Sequence, residues 1–165
     1  MQVRQILDIK GTVLYTISPD KKMSEAVAVM CEQDLGSLVC FEGGRMVGML
    51  TFREVMAVLH DKGAAWGAAS IREVMVADPL TADPFMEVDQ LRSLMVREHM
   101  RYLPVMDGYT LLGVISFHDV ARAVLEEQSF ENRMLKAYIR DWPEGQEGEE
   151  EAAATGAATA AKPGA

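Results

Sequence analysis

Apolar positions along this chain fall into two alternating regimes, and the pair of regimes occurs twice. Met23, Ala26, Val27, Met30 and Cys31 stand at i, i+3, i+4, i+7 and i+8, the stripe of a helix with one buried face. Val88, Leu91, Met95 and Val96 repeat that stripe 65 residues later. Short apolar runs follow each helix, SLVCF and MVGML after the first, LPVM and LLGVI after the second. Each pair of runs is split by a glycine-containing turn, EGGR or DGYT, which signals a hairpin. Ahead of each helix lies a short extended segment, Val13 to Ile17 or Leu80 to Ala82, leading into Ser-Pro or Asp-Pro, where proline disfavours helix in the residue before it. A second helix opens after each hairpin, at Thr51 in one copy and Ser116 in the other. The pattern predicts an α/β (α+β) chain of two tandem β-α-β-β-α units.

The two units align without a gap from Tyr15 to Leu59 at a shift of 65, which sets Thr16 on Thr81, Pro19 on Pro84, Leu38 on Leu103 and Gly48 on Gly113. Upstream, VRQIL (3–7) resembles IREVM (71–75) at a shift of 68, so the first copy carries three extra residues near Lys10 to Thr12. The expected divisions are 2–65, 70–127 and a C-terminal helix over 128–143. Residues 144–165 contain no aromatic and no large aliphatic side chain. Such a segment buries too little apolar surface to offset the cost of ordering, and a disordered tail is expected.

Composition narrows the function. Of 165 residues, 49% are apolar, enough for a packed core, yet no run approaches the ~20 apolar residues that span a bilayer. The first residues, MQVRQILDIKG, lack the apolar region of a secretory signal, and a cytoplasmic protein is expected. The net charge is −9; the tail holds five acids against one base, which leaves −5 for the rest. An acidic chain without a basic stripe argues against nucleic acid or an anionic membrane as partner. Cys31 and Cys40 have neither CxxC nor metal-ligand spacing, and both are expected as buried thiols. The twelve methionines are expected to be adaptable core filler.

Candidate chemistry gathers at the two helix starts. Thr51 and Glu54, and Ser116 and Asp119, keep a hydroxyl and an acid three residues apart. One reading is a capping box, in which each side chain bonds the other residue's backbone N–H. The other is a binding site. A helix start presents unpaired N–H groups and partial positive charge to a phosphate, while the carboxylate accepts two hydrogen bonds from a vicinal diol. Phosphate donors and a diol acceptor within one turn suit a nucleotide. Arg53 and His118 stand between hydroxyl and acid in the two copies, and Arg101 precedes the second LPV strand. An enzyme is disfavoured: His60, His99 and His118 form no nucleophile–base pattern, and no Walker or Rossmann glycine loop occurs.

The ordered series of IREVM before an extended segment, LPV before a glycine turn and G-h-h-S-x-x-D at a helix start, repeated with variation, resembles the tandem cystathionine-β-synthase-type (CBS) domain pair over about residues 2–127. RYLPVMDGYTLLGVISFHDV carries it most fully, and ENRMLKAYIRDWP is similar to the terminal helix of stand-alone bacterial CBS pairs. The resemblance implies two repeats packed with pseudo-twofold symmetry, clefts for AMP, ADP, ATP or NAD, homodimerisation, and no required cofactor or catalysis. It further implies that Asp119 holds ribose hydroxyls, Ser116 with His118 holds phosphate, and Arg101 and Tyr102 reach phosphate. Leu80 and Thr81 would line the adenine pocket. Thr51, Arg53, Glu54 and Thr16 are their first-copy counterparts, with Glu54 departing from the family's Asp. The signal would leave through the dimer's shape or an unknown protein target. The alternative is a structural dimer or interaction module whose hydroxyl–acid pairs only cap helices.

Overall fold

The computed structural model describes residues 1–11 and 13–141. Its first element is helix α1, Val3–Lys10, closed by Gly11 at φ +93°, a conformation that glycine adopts without steric cost. Strand β1, Thr16–Ile17, leads to α2, Met23–Glu32, then to the hairpin of β2, Ser37–Glu42, and β3, Arg45–Thr51. Helix α3, Phe52–Lys62, follows without a loop, and a 3-10 turn, Gly63–Ala68, ends the first copy. The second copy opens with a short α4, Ile71–Val74, and β4, Val76–Ala77. Helix α5, Val88–Arg97, the hairpin of β5, Tyr102–Asp107, and β6, Thr110–Ser116, and helix α6, Phe117–Arg140, complete it. The fold is mixed α/β, as the pattern predicts.

Both hairpins keep the same register. Ser37 faces Thr51 and Cys40 faces Gly48; Tyr102 faces Ser116 and Val105 faces Gly113. Glycines at positive φ make the turns, Gly43 and Gly44 in one copy and Gly108 in the other. The extended segments are shorter than expected. In the first copy only Thr16 and Ile17 pair, in parallel with β2; in the second a single bridge joins Ala82 to Val105. Ser-Pro and Asp-Pro close both segments at their expected ends, because proline has no N–H to continue a ladder.

The copies exchange their leading helices. Val3 and Ile6 of α1 are buried with Leu91, Met95, Leu103 and Ile115 of the second copy, whereas Ile71 of α4 is buried with Met23, Leu38 and Leu50 of the first. Matched backbone bonds fix the exchange. Val3 N–H donates to the Met86 carbonyl (3.0 Å) as Ile71 N–H does to Lys21 (2.9 Å), and Arg4 donates to Pro84 as Arg72 does to Pro19, each at 2.9 Å. This correspondence is the pseudo-twofold relation of the repeats.

Two expected core positions lie outside. Cys31 and Val96, 65 residues apart, are both exposed. At 100° per residue they stand about 80° round their helices from Met23 and Val88, past the buried edge. Cys40 is fully buried, and desolvation pushes its thiol up to about 12. The C-terminal helix expected at 128–143 is the far part of the unbroken α6. Met1–Val124 forms one compact unit, and Leu125 opens another. The expectations for residues 142 and beyond lie outside the described residues. No described helix is long and apolar enough to cross a membrane.

Candidate nucleotide cleft

Both hydroxyl–acid pairs are formed as capping interactions. Thr51 N–H donates to Glu54 Oε2 at 2.7 Å, the Thr51 hydroxyl donates to the same oxygen at 2.6 Å, and Arg53 N–H donates to Thr51 Oγ1 at 3.2 Å. Ser116 N–H donates to Asp119 Oδ2 at 2.8 Å, and Asp119 N–H returns a bond to Ser116 Oγ at 3.1 Å. The extra methylene of Glu54 lets it meet the hydroxyl of Thr51 as well as the N–H, so its carboxylate is turned inward on its own cap.

Asp119 has a partner that sequence reasoning missed. Lys10 Nζ donates to Asp119 Oδ2 at 2.7 Å and to the Val114 carbonyl at 2.9 Å. Burial acts to raise the Asp119 pKa, but the bonds from Lys10 and from Ser116 outweigh it and hold the carboxyl below its ordinary range. Hydrogen bonds to the charged form have this effect.

A cavity of about 620 Å³ opens at the start of α6, lined by Ser116, Phe117 and His118, by Arg101 and Tyr102, by Lys10, by Val13 to Tyr15, and by Asp34 to Ser37. Phe117 N–H donates to the Arg101 carbonyl at 2.8 Å, which ties the helix start to the strand beside it. A hydroxyl at a helix start, two cations and several aromatic faces can hold a phosphate and a flat ring together.

Of the expected residues, Ser116, His118, Arg101 and Tyr102 meet at this cavity, and Asp119 borders it through Lys10 and Ser116. Leu80 and Thr81 do not line it, nor does Thr16. The exchange explains the difference. The second copy's helix start is faced by the first copy's extended segment, and Tyr15, which aligns with Leu80, stands there instead. Thr51, Arg53 and Glu54 belong to the other helix start and do not line this cavity either. Asp34 also escaped notice; it adopts φ +52°, as its counterpart His99 adopts +53°. The signal that could have found Lys10 was the insertion it opens. Gly36, which stands where the second copy has Arg101, leaves room for Tyr102, whose hydroxyl a Cβ there would overlap. Among the described residues no group of three or more His, Cys, Asp or Glu could hold a metal ion.

Comparison with known proteins gives one family. The CBS domain model matches residues 6–61 and 71–126. The CBS domain-containing protein YhcV of Bacillus subtilis is 27% identical over 124 residues, 75% of this chain and 88% of its own length. A CBS-domain-containing protein from Agrobacterium tumefaciens superposes with a TM-score of 0.71 at 28% identity, over 74% of this chain and 92% of that one. CBSX2 in complex with AMP shares the fold at 18% identity, with a TM-score of 0.66 over 77% of this chain and 98% of that one.

Proposed function

The chain belongs to the CBS-domain family, and on that premise we propose that it is a non-catalytic sensor of an adenosine-containing nucleotide (AMP, ADP, ATP or NAD). The ligand sits in the cleft at the start of α6 and acts through the shape of a homodimer or on a protein target. The observation that carries this reading is the cavity itself. Its volume of about 620 Å³ is in the range of small-ligand sites, and it gathers a helix-start hydroxyl, Lys10 and Arg101 around aromatic walls. AMP bound to a protein of the same fold supports the ligand class. Asp119 then offers its carboxylate to the ribose and Ser116 with His118 takes phosphate, while Tyr15 and Tyr102 flank the base. Phe52, Met56 and Leu59 on α3 and Phe117 on α6 are exposed, an apolar face suited to a second copy.

Native mass spectrometry of the purified protein should show a retained nucleotide, and AMP at 100 times its Kd should stabilise the fold by about 2.7 kcal/mol. Asp119→Ala should weaken binding far more than Glu54→Ala. Equal losses from both, or none from either, would count against the cleft assignment.

A second reading has its own support, since both hydroxyl–acid pairs are satisfied as caps. On that reading the protein is a structural dimer or interaction module, and no adenosine compound changes its melting temperature.

A further inference from the structure

We propose that Lys10 is the residue by which this cleft prefers phosphate-bearing adenosine ligands to adenosine itself, an inference that rests on the nucleotide reading above. The two copies differ where Lys10 stands. In the first-copy sheet, β4 pairs with β3 at Gly48 and Met49. The counterparts of those residues, Gly113 and Val114, lie on β6, whose only strand neighbour among the described residues is β5. Helix α4 stops at Val74 so that β4 can form, whereas α1 runs on to Lys10, whose ammonium bonds the Val114 carbonyl. The insertion therefore replaces a strand contact with a cation at the mouth of one cleft. Glu54, at the other helix start, takes its described hydrogen bonds from Thr51 alone.

That cation sets a condition on the ligand. Asp119 Oδ2 already accepts from Ser116 N–H and from Lys10, so a diol that uses both carboxylate oxygens competes with Lys10. Adenosine would displace that contact and leave the ammonium with one anion fewer. A ligand with a phosphate supplies a new anion, which the long, partly exposed lysine stem can follow. Arg101 on the same wall adds attraction but does not touch Asp119, and so does not impose the competition.

Calorimetric titration of the full chain with AMP and with adenosine tests this in wild type, Lys10→Met and Lys10→Arg. Wild type should prefer AMP. Lys10→Met should shrink the ratio of the two affinities by about tenfold, the worth of one hydrogen bond to a charged group, by weakening AMP without weakening adenosine. Lys10→Arg should keep the preference. Melting without ligand reports whether Lys10→Met folds; if it does not, Lys10→Gln, which removes the charge and keeps a polar side chain, gives the same readout. An unchanged ratio, or equal losses for both ligands, overturns the role of Lys10 while leaving the nucleotide reading intact. If wild type binds neither compound, the nucleotide reading fails and this inference with it.

Discussion

Exchange of α1 and α4 means that neither core is complete without chain from the other copy, and Ile6→Ala tests that coupling. Ile6 is 3% exposed and packs within the second-copy core. Removing its side chain costs about 2–5 kcal/mol in transfer and cavity terms. Urea slopes for small proteins are about 1–3 kcal/mol/M. With a slope of about 2, the midpoint should fall by about 1–2.5 M. The test lies in where the change is read. Trp66 packs against the first-copy core, on the far side of the exchange from Ile6. In a Trp142→Phe background its fluorescence should report the same downward shift as far-UV circular dichroism, at fixed protein concentration. If Trp66 keeps its wild-type midpoint while the dichroism splits into two transitions, the copies unfold independently and the exchanged helices do not couple them.

Three further outcomes follow from particular residues. Native protein should present one thiol to Ellman's reagent and denatured protein two, because Cys31 is exposed while Cys40 is buried with its pKa near 12; two fast thiols in the native state would refute the placement of Cys40. Gly48→Ala should destabilise by about 1–3 kcal/mol and by more than Gly113→Ala. A Cβ at Gly48 lies 2.9 Å from the Val76 carbonyl, a backbone atom, whereas one at Gly113 lies 3.0 Å from a movable methyl of Leu7; equal urea midpoints would contradict this. Asp119 is held below its ordinary pKa, so its pairing with Lys10 stabilises the fold above the unfolded value and is lost as pH falls through the folded one, below 3.8. Lys10→Met should therefore be less stable than wild type at pH 7, by about 1 kcal/mol for a partly exposed pair, and the gap should close in that acidic window. A gap that persists at the acid end would point to packing rather than charge.

The repeat, its elements and most of its core were legible because hydrophobic period and turn chemistry are local properties. Gly43, Gly44 and Gly108 mark their turns in the sequence as they do in the structure. The exchange was not legible in detail. The VRQIL and IREVM segments showed that the repeat extends upstream, but no local pattern says that each forms a leading helix or whose core Val3 or Ile71 will enter. The same gap sent Leu80 and Thr81 to the cleft that Tyr15 lines. Cys31 and Val96 were misplaced for a different reason: both sit at the margin of a helical stripe, where 3.6-residue periodicity cannot fix the width of the buried face.

Capping at Ser116 and Asp119 orients the carboxylate that binding would use, so the geometry lets one prepare the other. The cap occupies Asp119 Oδ2 through Ser116 N–H, and Lys10 bonds the same oxygen. The carboxylate is thereby fixed in orientation and kept ionised, with its second oxygen outside these bonds. A diol acceptor needs that same fixed, charged state, and the cap removes part of the ordering cost of binding in advance, while a diol that reaches Oδ2 must still displace Lys10. At the other helix start, Glu54 Oε2 takes both the N–H and the hydroxyl of Thr51, so the hydroxyl that would meet a phosphate is spent on the cap. The two starts thus share a motif and differ in which groups remain to meet a ligand. That difference comes from one methylene and one inserted lysine.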